Sequence, residues 1–253
     1  MSSVNKSFSS YANAVYLLAR TTSARLPAHH VSRKPVRFLD MIISIRVLLI
    51  LVGVGLWYWT QKLISRKVDL GDGVGDRLHD LTTPLHAWFT RNPRATDLTL
   101  IITSALIDAI GIFLLASAIF GSSLRPFIAL FILFGLRQIC QAITTMPKPD
   151  GVIWRHPGFP ALLVTYDVSN DFFFSGHTAV AVLGAVELAY HGPPLAALAV
   201  AVIAFVEASV VIIFRAHYTA DVFAAAFAAW GAELIAQHVA PTVDLWLHRL
   251  IGL

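Results

Sequence analysis

Two short polar clusters interrupt an otherwise apolar C-terminal half. They are Asp171-Phe172-Phe173-Phe174-Ser175-Gly176-His177-Thr178 and Arg215-Ala216-His217-Tyr218-Thr219-Ala220-Asp221-Val222. Each stands where a hydrophobic run begins or ends, so two imidazoles and two carboxylates meet a membrane boundary. Ionisable groups are costly there and are functional candidates by default. Two histidines at one such boundary can divide a phosphoryl transfer, one attacking phosphorus and the other carrying the proton.

His217 and Asp221 are four residues apart and share a face if helical. A carboxylate so placed selects the imidazole tautomer, orients the ring and stabilises the imidazolium. The structural alternative is a helix-end ion pair. His177 follows Ser175-Gly176 at the start of a hydrophobic run, where exposed backbone N–H groups favour an anion and glycine permits close approach. Ser175 either donates to that anion or serves as an ordinary N-cap. Asp171 either pairs with a histidine or caps the helix. Arg137 lies near the end of another apolar run, and Arg137, Lys148, Arg155 and Arg215 are the cations available to a phosphodiester, with Arg137 and Arg215 preferred. The three adjacent phenylalanines read as the wall of a lipid-facing cavity or as an interfacial anchor.

The surrounding chain is built to hold such a site in a bilayer. Its 253 residues are 57% hydrophobic and 13% charged, against about 25% charged in soluble domains. One cysteine, Cys140, excludes an internal disulfide framework and a Cys-based zinc site. No His-Glu-x-x-His or carboxylate cluster suggests a metal, no organic cofactor is implied, and no basic stripe with aromatics suggests nucleic acid. Apolar runs at 41–60, 98–120, 126–146, 173–191, 195–214 and 219–239 predict six spans of about 20 residues each. Six spans put both termini on one side, and on that count the two polar clusters, two spans apart, meet at the same membrane face. Residues 1–40 read as a flexible tail, 41–240 as one six-span catalytic domain, and 241–253 as a short C-terminal tail. Residues 61–97 read as an amphipathic or irregular excursion along an interface. The basic residues flanking the first span nearly balance, with a slight lean towards a cytosolic N-terminus.

The pattern Asp171-x3-Ser175-Gly176-His177-Thr178 with Arg215-x-His217-Tyr218-Thr219-x-Asp221 resembles the sphingomyelin synthase group of lipid phosphotransferases, a branch of the type-2 phosphatidic acid phosphatase superfamily. Arg137-x6-Thr144-Thr145-Met146-Pro147-x-Pro149 resembles an upstream segment of the same group. The Arg-x-His-Tyr-Thr and Pro-x-Pro elements are also similar to plant phosphatidylcholine:diacylglycerol cholinephosphotransferase. The resemblance covers roughly residues 98–235.

It departs from the group at Ser169-Asn170, where cysteine-glycine is usual. The lipid phosphatase signature is also broken, with Ala118, Phe174 and Val211 at its lysine, proline and arginine positions. The resemblance implies an all-α, polytopic, six-helix bundle. It implies transfer of a phospho-alcohol head group, choline or ethanolamine, from a glycerophospholipid to a lipid alcohol such as ceramide or diacylglycerol. His177, His217 and Asp221 are the implied catalytic residues; Asp171, Ser175, Gly176, Arg137, Arg215 and Tyr218 are the implied substrate-binding set. The partners are then the two lipids and the membrane, with the oligomeric state left open. A lipid phosphate phosphatase and a non-catalytic lipid-binding scaffold are the rival readings.

Overall fold

Proline and glycine punctuate the apolar runs and set the helix ends. Pro93, Pro126 and Pro194 fall in first turns, where a missing N–H breaks no intrahelical bond. The computed structural model describes residues 34–64, 75–164, 166 and 173–250. Among these, the elements are α1 (Lys34–Ile64), α2 (Arg77–Arg91), α3 (Pro93–Phe120), α4 (Arg125–Ile143), α5 (Gly176–His191), α6 (Pro194–Ile213) and α7 (Thr219–Leu250). The chain divides into Met1–Leu39 and Asp40–Leu253. Only the opening of α1 from Lys34 is described in the first unit, so the expected tail over residues 1–40 lies almost wholly outside the described residues.

Asp40–Leu63 of α1, together with α3, α4, α6 and α7, is long and apolar enough to cross a bilayer. The protein is therefore an integral membrane protein with an all-helical described portion. The fourth expected span, 173–191, is the exception. Its helix has 16 residues, about 24 Å of rise, short of a hydrocarbon core of about 30 Å. It is also the innermost helix, packed against α3, α6 and α7. A helix shielded from lipid by its neighbours need not match the core thickness. The last helix continues past residue 239 to Leu250, with Pro241 inside it.

Between membrane helices, close approach replaces hydrophobic drive, and small residues permit it. Ala225, Ala229, Ala232 and Ala236 recur at intervals of four, three and four on α7 and are all buried, giving α4 and α5 a smooth face. Gly184 does the same between α5 and α3: a Cβ there would stand 2.5 Å from Ile110 Cγ2. At the end of the bundle where α4 begins, Arg125 bonds Glu187 of α5 at 2.5 Å and also Glu233 of α7. Asp244 on α7 accepts from Ser123 Oγ at 2.5 Å and Leu124 N at 3.0 Å. These contacts fasten one end of the bundle and leave the other to the site.

The excursion between the first two predicted spans contains α2, an amphipathic helix with His79 and His86 buried. Asp76 accepts from Leu78 N at 2.9 Å as its N-cap, and from Thr219 N and Oγ1 at 2.6 and 2.7 Å. One carboxylate thus starts both α2 and α7. The segment between α4 and α5 folds back into the bundle. Asp108 accepts from Leu162 N and Leu163 N, both at 2.8 Å, and Tyr166 OH lies 2.5 Å from Ser104 Oγ. Asp108 is therefore a structural acid rather than a cavity group.

Candidate active site

The start of α5 carries His177, and the turn before α7 carries His217. The two are joined where Ser175 N donates to Asp221 O at 3.3 Å. Ser175 is fully buried and caps α5, its Oγ accepting from Thr178 N at 3.3 Å and lying 3.1 Å from Thr178 Oγ1. It does so as a cap, and the cavity below does not reach it. Gly176 does line the cavity, with the Arg137 guanidinium against its backbone: a Cβ at Gly176 would lie 3.6 Å from Arg137 Nε. Arg137 is buried, and its Nε donates to Phe174 O at 2.8 Å. That bond places a fixed cation beside the first turn of α5.

His217 precedes α7, so its pairing with Asp221 spans the helix entry rather than one helical face. Nδ1 of His217 lies 3.6 Å from Asp221 Oδ2, an ion-pair distance rather than a tight hydrogen bond. Asp221 is fully buried, and the same Oδ2 accepts from Tyr218 N at 2.9 Å. Asp221 therefore caps the turn and sets a carboxylate beside the His217 ring. From the far side, His79 Nε2 donates to His217 O at 3.0 Å, and His86 Nδ1 donates to Ile213 O at 2.8 Å. Those carbonyls can only accept, so each ring nitrogen carries its proton.

Both histidines line one cavity of about 630 Å³, within the range of about 300–1,000 Å³ usual for small-molecule sites. Arg137 and Lys148 line the same polar end, and among the described residues no carboxylate lines it. His177 is 9% exposed, and its Nε2 has no hydrogen-bond partner among the described residues. Buried polar atoms in folded proteins are normally paired, so an unpaired imidazole nitrogen beside a cavity suits a ligand oxygen. The His177 ring meets Trp154 edge-on with centroids 4.8 Å apart, and Trp154 stacks on Tyr166 at 5.4 Å. The remaining wall is mostly apolar and comes largely from α1, α3 and α4, with Val152, Leu163 and Val164 of the segment after α4 and Val180 of α5.

Several expected residues lie elsewhere. Arg215 has φ 54°, in the left-handed region. Its guanidinium bonds Asp150 O at 2.9 Å and Thr83 Oγ1 at 3.2 Å and is not among the cavity-lining groups. Lys148, ranked lower from sequence, reaches the cavity; Arg155 instead pairs with Asp97 at 2.7 Å. Tyr218 is buried, with its hydroxyl donating to Pro147 O at 3.2 Å and its ring stacked on His79 at 5.6 Å. It joins the second polar cluster to the Pro-x-Pro segment and does not line the cavity. Phe174 is buried in the core rather than forming a cavity wall. Asp171 and Phe172 lie outside the described residues.

Sequence reasoning missed Asp76, His79, His86 and Trp154. Two of these left a trace, since His79 and His86 are seven apart, two turns on one face of an amphipathic helix. Partial burial alone would raise the Asp76 carboxyl. Hydrogen bonds from Thr219 and Leu78, with His79 nearby, hold it below the ordinary aspartate value.

Comparison with known proteins adds one match. A family model described as AtPDCT1/2 aligns with residues 76–238, which begin at the shared cap Asp76 and include both histidines and Asp221. No curated protein and no solved structure matches the chain.

Proposed function

Since the chain belongs to the AtPDCT1/2 family, the plant phosphatidylcholine:diacylglycerol cholinephosphotransferases, we propose that it moves phosphocholine between glycerolipids. The donor is a phosphatidylcholine-type phospholipid and the acceptor a lipid alcohol of the diacylglycerol type. Kinship with the sphingomyelin synthases, the six-span arrangement and use of ceramide belong to the same proposal, and the three sequence motifs support them. The observation that carries the mechanism is the shared cavity in which His177 and His217 stand beside Arg137 and Lys148. A cation-lined polar end suits the single negative charge of a phosphodiester and the further charge it develops on attack.

With Asp221 on the Nδ1 side of His217, Nε2 is the nitrogen that attacks phosphorus. A P–N bond forms as the P–O bond to the donor's diacylglycerol breaks, and His177, protonated as the anionic phosphodiester binds beside it, delivers that proton to the departing oxygen. The acceptor hydroxyl then attacks phosphorus and returns its proton to His177. The P–N electron pair goes back to His217. Asp221 stabilises the cationic imidazole throughout, and Arg137 and Lys148 balance charge on the non-bridging oxygens. A direct version, with His217 as base for the acceptor hydroxyl, uses the same groups.

The test is to incubate purified protein with head-group-labelled phosphatidylcholine and an unlabelled diacylglycerol of different acyl composition, so that the product separates from the donor by mass. Label in newly formed phosphatidylcholine, dependent on added diacylglycerol, supports the proposal. Label released as water-soluble phosphocholine or phosphate would make the protein a hydrolase, and no turnover with folded protein would favour a lipid-binding scaffold.

A further inference from the structure

We propose that α1 and α4 enclose a chamber for one acyl chain of the lipid substrate, and that Gly53 and Phe127 form its floor and set the chain length it accepts. The inference rests on the lipid-transfer reading for the identity of the head group. The chamber itself follows from how the two helices lie together.

Four contacts fix their register. Arg46 NH1 donates to Gly121 O at 2.6 Å just before α4. A Cβ on Gly53 would stand 2.8 Å from Phe127 Cζ, Trp57 meets Phe134 edge-on at 5.8 Å, and Gln138 Nε2 donates to Gln61 Oε1 at 3.0 Å. The partners advance together along both helices, so α1 and α4 run parallel. The cavity lies between these contacts, with Ile107, Gly111 and Leu115 of α3 behind it. It extends along α4 from Phe127 to Arg137, ten residues or about 15 Å. One leaflet of a bilayer has about the same hydrocarbon depth, half of about 30 Å.

The polarity runs the same way. Arg137, Lys148, His177 and His217 stand at one end, and Gly53, Phe127 and Leu130 at the other. Tyr58 and Trp59, exposed on the outer face of α1 at the polar end, are the residues expected at a head-group interface. Leu56 and Phe131 line the cavity and are 51% and 56% exposed, which puts its side opening between α1 and α4, facing lipid. A chain entering there keeps its phosphate at the interface and its tail in an apolar slot one leaflet deep. Of the two floor residues, Phe127 lies inside the segment matched by the family model and Gly53 of α1 outside it.

A methylene is no better solvated in such a slot than in a bilayer, so discrimination comes from the floor: chains that fit load equally, and longer ones are excluded. The experiment uses the full chain in nanodiscs containing a phosphatidylcholine with a diazirine at one acyl terminus. After irradiation, cross-links are expected on the α1 and α4 peptides at Gly53, Phe127 and Leu130. Labelling confined to outward residues such as Leu48 and Leu51 would overturn the chamber.

Equimolar phosphatidylcholines of graded chain length supply the second readout, as the lipid retained by the purified protein. Phe127→Ala should move the length cut-off to longer chains and Leu130→Trp to shorter ones. An unchanged profile in whichever variant folds also overturns it. Neither readout needs turnover. Correct cross-links without head-group transfer would leave the chamber standing and the functional reading refuted, and transfer without them would do the reverse.

Discussion

Asp221→Asn isolates the electrostatic half of the proposed mechanism. The carboxylate lies 3.6 Å from His217 Nδ1 and is fully buried. It also accepts from Tyr218 N, a bond that the amide oxygen of asparagine can keep. The substitution therefore removes charge while retaining the cap, and the net worth of one hydrogen bond, about 1 kcal/mol, bounds the expected stability loss. The charge matters more. At an effective dielectric of about 20, a full positive charge at that distance interacts with the carboxylate by 332/(20 × 3.6), or about 4.6 kcal/mol. If the imidazole becomes fully cationic in the transition state, that corresponds to about 10³-fold in rate, inside the range of about 10²–10⁴ for losing acid–base assistance. The assay is head-group transfer from labelled phosphatidylcholine to diacylglycerol in proteoliposomes, with thermal unfolding measured in parallel. A variant that melts normally and keeps kcat within about tenfold of the parent would refute the assigned role of Asp221.

Arg137→Lys keeps a charge but loses the Nε donor to Phe174 O. It should destabilise the protein by about 1.5–3 kcal/mol, the worth of a charge-assisted bond, and slow transfer more than it lowers substrate binding, as kcat against KM will show. The Asp76 carboxyl is held below its ordinary value of 3.8, so folding favours its charged form. Its contribution is present above about pH 4 and is lost as pH falls through the lowered folded value; the melting difference between parent and Asp76→Asn should be larger at pH 7 than at pH 3. Gly184→Ala puts a methyl 2.5 Å from Ile110 Cγ2 and should cost about 1–3 kcal/mol through overpacking, visible as a lowered melting temperature with unchanged head-group selectivity.

How much of this was legible in the sequence depends on whether the signal is local. The two histidine clusters announce themselves by polarity within apolar runs, and the structure brings His177 and His217 to one cavity. The apolar runs also give five helices long enough to span. The fourth expected span falls short because burial among α3, α6 and α7 removes the need to match lipid thickness, a condition set by tertiary packing. Arg215 stands two residues from His217 in sequence, yet its positive φ turns the side chain towards Asp150 and Thr83. Lys148 reaches the cavity only through the fold-back of the segment after α4. The chamber wall on α1 is far from either cluster in sequence, and no spacing rule connects Gly53 to Phe127.

The central claim is that His177 and His217 act on one phosphorus, and single substitutions test it most directly. His177→Ala and His217→Ala should each lower phosphocholine transfer to diacylglycerol by at least about 10²-fold, with both proteins folded and inserted in the membrane. Substantial transfer by either folded variant would contradict the account.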